Sequence, residues 1–219
     1  MKIGIIGAGN IGGNLTRRLT ALGHDVSVAN SRTPDTLAEL AAETGATAVP
    51  AAEVGEGADI VVVTVPMKRV PDLPVGILDG VADDVVVIDT CNYYPKQRDG
   101  RIAEIEDGMP ESRWVEEQLG VSVVKAFNGM YADHLLNRAQ PQGAEGRIAL
   151  PVAGDDGAAK SVVMELVDSL GFDPVDGGGL DDSWRQQPGT PVYGADLDAD
   201  GVTRALADAR PERPLDFRA

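Results

Sequence analysis

The 219-residue chain has one cysteine, two histidines and few aromatic residues, and each scarcity removes a class of protein. Cys91 stands alone, so no intramolecular disulfide can form. His24 and His134 are too few to assemble a Cys/His metal cluster with it, and no metal site is expected. No apolar run approaches the roughly 18 residues that a membrane-spanning helix needs. The chain enters Lys2-Ile3-Gly4-Ile5-Ile6 directly, without a signal-peptide profile, so a cytoplasmic location is expected. Positive charge is also scarce: 19 Lys and Arg stand against 35 Asp and Glu, a formal net charge of −16. Such a surface repels nucleic-acid phosphates and anionic membranes, and neither is expected as a partner. The same field opposes any anionic ligand, which therefore needs local donors.

Apolar segments of strand length are plentiful. They lie at Lys2–Ile6, Asp25–Ala29, Thr47–Val49, Ile60–Val65, Val85–Ile88, Val121–Ala126, Ile148–Ala153 and Phe172–Val175. Several are nearly continuous hydrophobic runs, as strands covered on both faces should be. Helical spacing fills the gaps: Ile11, Leu15, Leu19 and Leu22 before Gly23, and Leu37, Leu40 and Ala41 between Pro34 and Gly45. Val163, Leu166, Val167 and Leu170 form another stripe, ended by Gly171. The alternation predicts an α/β fold with a doubly wound, mostly parallel sheet of about eight strands. Pro66, Pro71 and Pro74 require the crossover after the fourth strand to be short or broken. The expected organisation is one domain over 1–179 and a short helical tail over 180–219. Trp184 and Tyr193 in that tail suggest that it packs back on the domain and contributes to a homodimer.

The segment Gly7-Ala8-Gly9-Asn10-Ile11-Gly12 follows the first strand and opens the first amphipathic helix. That context reads as the dinucleotide loop of a Rossmann fold. Gly7 permits the tight turn, Gly9 lets a pyrophosphate approach the backbone, and Gly12 lets helix and strand pack closely. The helix N-terminus then faces the anion with free N–H groups. At the end of the second strand, an NAD-binding chain usually carries Asp or Glu for the ribose hydroxyl. Here stand Asn30, Ser31 and Arg32. Arg32 can pair with a 2′-phosphate while Asn30 and Ser31 donate hydrogen bonds, so NADP(H) is the expected cofactor.

In a doubly wound sheet the nicotinamide lies over the carboxyl ends of later strands. Val65, Pro66, Thr90, Asn92, Ala126 and Asn128 are the residues expected there, with Asn and Thr suited to a carboxamide. Proton donors are sparse on this edge. Cys91 reads as a buried thiol, and Tyr93, Tyr94, Tyr131 and His134 as packing or rim residues. No Ser-x-x-x-Tyr-x-x-x-Lys pattern is present. The catalytic residues stay unassigned. Lys68 and Arg69, after the fourth strand, form the basic pair best placed to receive an anionic acceptor.

Ile3–Gly12, Gly23–Val26, Asn30–Arg32, Asp59–Pro66 and Val152–Leu170 resemble the coenzyme F420-dependent NADP oxidoreductase family, over most of residues 1 to about 180. The resemblance implies NADPH contacts at Gly7, Gly9, Asn10, Ile11, Gly12, Ser31, Arg32 and Pro66. It also implies direct hydride exchange between the nicotinamide and the deazaflavin ring of F420. Val123–Asn128 is similar instead to the NADPH-binding domain of six-transmembrane metalloreductases, whose electrons pass to flavin and then to metal. The expectation is an NADPH-dependent oxidoreductase with F420 or a flavin as acceptor. The alternatives are a reductase of small imines or carbonyls, and an NADPH-sensing module without turnover.

Overall fold

Hydrophobic alternation along the strands decides how the layers stack in the computed structural model, which describes residues 1–219 except Asp83. Six strands form one parallel sheet: β1 (Lys2–Ile6), β2 (Asp25–Ala29), β3 (Thr47–Ala48), β4 (Ile60–Val63), β5 (Val86–Asp89) and β6 (Val123–Lys125). Their order is β3-β2-β1-β4-β5-β6, so the winding reverses between β1 and β4. Ile3, Ile5, Val26, Val28, Ile60, Val62 and Ile88 face one core with Leu15, Leu19 and Val163. Ile6, Val61, Val63, Val87 and Val123 face the opposite core with Met67, Trp114 and Val115. Burial on both faces is why these strands read as continuous apolar runs.

All eight expected strands are present, with the last two set apart from the main sheet. β7 (Ala149–Val152) and β8 (Asp173–Asp176) form their own parallel pair. It joins the main sheet through one antiparallel bridge, in which Lys125 N–H donates to Ala153 O at 2.8 Å and Ala153 N–H returns at 3.0 Å. The turn after β7 therefore meets the end of β6.

The helices are α1 (Asn10–Ala21), α2 (Ala38–Thr44), α3 (Ala103–Glu106), α4 (Glu111–Leu119), α5 (Ala132–Asn137), α6 (Gly157–Ser169) and α7 (Ala199–Asp208). The crossover after β4 carries a 3-10 stretch, Met67–Asp72, with Pro71 inside it. Asp156 caps α6 by accepting from the N–H groups of Ala158 and Ala159. Beyond β8, the 3-10 stretch Leu180–Gln186 packs on α4 and β6. The following chain is tied to the sheet by Gly194 N–H to Gly129 O at 3.1 Å and Ala149 N–H to Leu197 O at 2.8 Å. Among the described residues no helix is long and apolar enough to cross a membrane.

Candidate active site

The carboxyl edge of the sheet collects the loops after β1, β2, β4, β5 and β6. Gly7 sits at φ +107°, in the left-handed region, with its N–H donating to Ala29 O at 2.8 Å. A Cβ at Gly7 would lie 2.3 Å from Thr64 O, and one at Gly12 would lie 1.9 Å from Gly7 O. A Cβ at Gly9 would meet nothing within 4 Å. Two of the glycines are therefore required by the protein's own packing, whereas Gly9 keeps an outward surface bare. Ala8, Asn10 and Ile11 complete that surface, and no side chain caps the N-terminus of α1. Its first N–H groups thus face outward, with no acidic residue in the first turn.

At the end of β2, Asn30 Oδ1 accepts the Arg32 N–H at 2.8 Å and Asn30 Nδ2 donates to Thr36 Oγ1 at 3.0 Å. Asn30 thus holds the turn through its own amide. Ser31 and Arg32 are exposed, and the Arg32 guanidinium makes no ion pair among the described residues.

Val65 and the exposed Pro66 lie beside the glycine loop, since Val65 Cγ1 would be 3.1 Å from a Cβ at Gly7. Thr90 is buried and donates to Val63 O at 3.1 Å. Asn92 and Asn128 meet across the β5–β6 edge. Asn92 Nδ2 donates to Asn128 O at 2.8 Å, and Asn128 Nδ2 donates to Asn92 Oδ1 at 3.2 Å. Asn128 also donates to Gln186 O at 2.7 Å, which occupies both of its amide hydrogens. Asn92 keeps one. Ala126 is buried, with its N–H on Asp89 O at 3.2 Å. Between these residues Phe127 is fixed at φ +60°, a strained conformation for an aromatic residue.

Charged groups lie directly beneath this edge, and sequence reasoning did not find them. Lys125 and Asp89 form a fully buried ion pair at 2.9 Å, and Ser112 Oγ donates to the same Asp89 oxygen at 2.8 Å. The Cys91 thiol is pushed well above its ordinary range by burial and then by the Asp89 carboxylate. That leaves it a poor nucleophile. Tyr94 and Tyr193 place their hydroxyls in direct hydrogen-bond contact, with the Arg98 guanidinium 5.1 Å from the Tyr94 ring centroid. Burial, then the Tyr94 contact, raise the Tyr193 phenol. Tyr93 is fully buried, and burial pushes its phenol up to about 12. His134 pairs with Asp196 at 2.9 Å, beside the exposed Tyr131. Lys68 donates to Arg98 O, and Arg69 pairs with Asp72 at 2.9 Å, so neither is uncommitted. An open cleft of about 970 Å³ lies elsewhere, lined by segments within 101–110, 181–191 and 208–218, with Gln187 and Arg213 on its wall and none of the loop residues named above.

Residues 2–93 match the family model described as NADP oxidoreductase, coenzyme F420-dependent. The structure of protein SMa0349 from Sinorhizobium meliloti is 33% identical, with a TM-score of 0.75 over 90% of this chain and 95% of that one. A structure from Arthrobacter sp. FB24, named as an F420-dependent NADP reductase, is 23% identical with a TM-score of 0.69. It covers 82% of this chain and 86% of its own, a likeness of fold. YjhV of Escherichia coli K12 is 50% identical over 70 residues, 32% of this chain. The chain spans about half the length of that curated relative, 51%.

Proposed function

The chain belongs to the coenzyme F420-dependent family of NADP oxidoreductases, and from that premise we propose that it moves hydride between NADP(H) and a deazaflavin, F420, or a flavin. The cofactor half of the reading is supported above all by the contrast among three glycines. Gly7 and Gly12 are filled against by the protein itself, while Gly9 leaves an open cradle at an uncapped helix N-terminus. Ala8, Gly9, Asn10 and Ile11 hold the pyrophosphate there. Ser31 and Arg32 take the 2′-phosphate, with Asn30 holding their turn. Val65, Pro66, Thr90, Asn92, Ala126 and Asn128 frame the nicotinamide end, where Asn92 has an amide hydrogen to offer. Bound NADPH supplies the hydride. The chain's own contribution is to orient it and to keep the edge dry, with Thr90, Ala126 and Phe127 buried behind it.

The acceptor is chosen by what the edge lacks. The Cys91 thiol is raised and buried, and Lys125 is spent on Asp89, so neither donates a proton to a new alkoxide. A deazaflavin or flavin spreads the added charge over its ring and needs no such donor. One observation favours a second reading, reduction of a small carbonyl or imine: the paired hydroxyls of Tyr94 and Tyr193 beside Arg98. Anaerobic mixing of purified protein and NADPH with F420, FMN, FAD, a ketone and an imine separates the two. The proposal expects equimolar loss of NADPH and deazaflavin or flavin absorbance. Reduction of the ketone or imine alone, abolished in Tyr94→Phe, establishes the second reading instead.

A further inference from the structure

Between Cys91 and Tyr94 the loop after β5 is held by charged side chains acting on its backbone. Asp89 Oδ1 accepts the Cys91 N–H at 2.7 Å, and Lys125 donates to Cys91 O. Arg98 donates to Asn92 O. Glu111 Oε2 accepts the Tyr93 N–H at 3.0 Å, and Asp99 Oδ2 accepts the Tyr94 N–H at 2.7 Å. The side chains of all three carboxylates are 0% exposed, and each has one cation: Lys125 on Asp89, Arg98 on Asp99, Arg213 on Glu111. Lys125 and Arg98 come from the sheet and its loops. Arg213 comes from the far C-terminal stretch, 102 residues beyond its partner, and reaches Glu111 Oε1 at 2.7 Å. It also donates to Gln187 Oε1 at 3.1 Å and lies 5.2 Å from the Tyr93 ring centroid.

A carboxylate without water or a counter-charge is strongly disfavoured, and Lys125 is already committed to Asp89. Without Arg213, Glu111 must take up a proton or swing outward, and either change weakens its grip on the Tyr93 N–H. Asn92 is the next residue back, and it is the one that interlocks with Asn128. We propose that Arg213 is a positioning residue for the nicotinamide end of the site: it secures Glu111, which sets the backbone of Tyr93 and so the placement of Asn92 against Asn128. This rests on the cofactor reading above. It gives the C-terminal stretch a part in a site whose recognisable motif lies at the opposite end of the chain.

The test uses the full chain and two probes, NADPH and 2′,5′-ADP, which carries the phosphorylated adenylate end and lacks nicotinamide. Arg213→Met is expected to leave 2′,5′-ADP affinity within about twofold while weakening NADPH about tenfold, and to alter bound-NADPH fluorescence. Arg213→Lys, which keeps the charge and loses the fork, falls between. In Glu111→Gln/Arg213→Met no buried charge is left unpaired, and the amide oxygen still accepts the Tyr93 N–H, so most of the NADPH affinity returns. If Arg213→Met does not fold, the lysine and double variants decide by the same criteria. Equal losses for both probes, no loss for either, or a double variant as weak as Arg213→Met overturn the proposal. Wild-type protein that binds neither probe overturns the cofactor reading, and this proposal with it.

Discussion

At the β1–α1 end of the site, three glycines within six residues shape the surface, and none of those six residues is charged. At the β5–β6 end, five backbone groups between Cys91 and Tyr94 are held by charged side chains, and one of these, Glu111, is itself secured by the distant Arg213. The first construction is local and rigid, because the turn forms wherever strand and helix meet. The second is assembled from segments distant in sequence and depends on every counter-charge being in place.

The comparison breaks most sharply at Gly9. A Cβ there finds nothing of the protein within 4 Å, so Gly9→Val should fold, losing no more than about 4 °C in melting temperature for the weaker N-cap. It should nevertheless lose NADPH affinity by about a hundredfold or more, because the side chain occupies the cradle. Calorimetry that finds wild-type binding would place the site elsewhere. Lys125→Met attacks the other end. It leaves Asp89 buried without its cation, and removing one partner of such a pair costs about 3–5 kcal/mol. For a chain of this size that is a fall of roughly 10 °C in melting temperature. Asp89→Asn/Lys125→Met should recover more than half of it; a single variant as stable as wild type would show the clamp to be idle.

The same contrast explains what could be read from the residues alone. The glycine loop, the eight strands, α1 and α6 were legible because their signals are local: glycine spacing, apolar runs and capping residues. Which sheet a strand joins is decided by tertiary packing, and β7–β8 stands apart from the six-stranded sheet for that reason. α4 was missed because its inward face is short, essentially Trp114 and Val115 after Pro110. Nothing local in the sequence sets Asp89, Asp99 and Glu111 apart from solvated acids. Lys125 did carry a usable signal, since it sits between Val123-Val124 and Ala126-Phe127, where a charge has to be paired. Its partner was not identifiable without the parallel register that sets Asp89 opposite Lys125. Asn128 was expected as a ligand donor, yet the structure spends both of its amide hydrogens on holding loops, whereas Asn30 holds its turn and keeps one. Lys68 and Arg69 are likewise engaged with Arg98 and Asp72.

Arg32 is the charged exception at the glycine end: exposed and without an ion pair among the described residues. Calorimetric titration of NADPH and NADH into wild type and Arg32→Ala tests the central claim most directly. NADPH is expected to bind the wild type about tenfold tighter than NADH, the worth of one charge-assisted contact, and Arg32→Ala to erase that preference while leaving NADH unchanged. Equal affinities in the wild type, or a preference that survives the substitution, would contradict it.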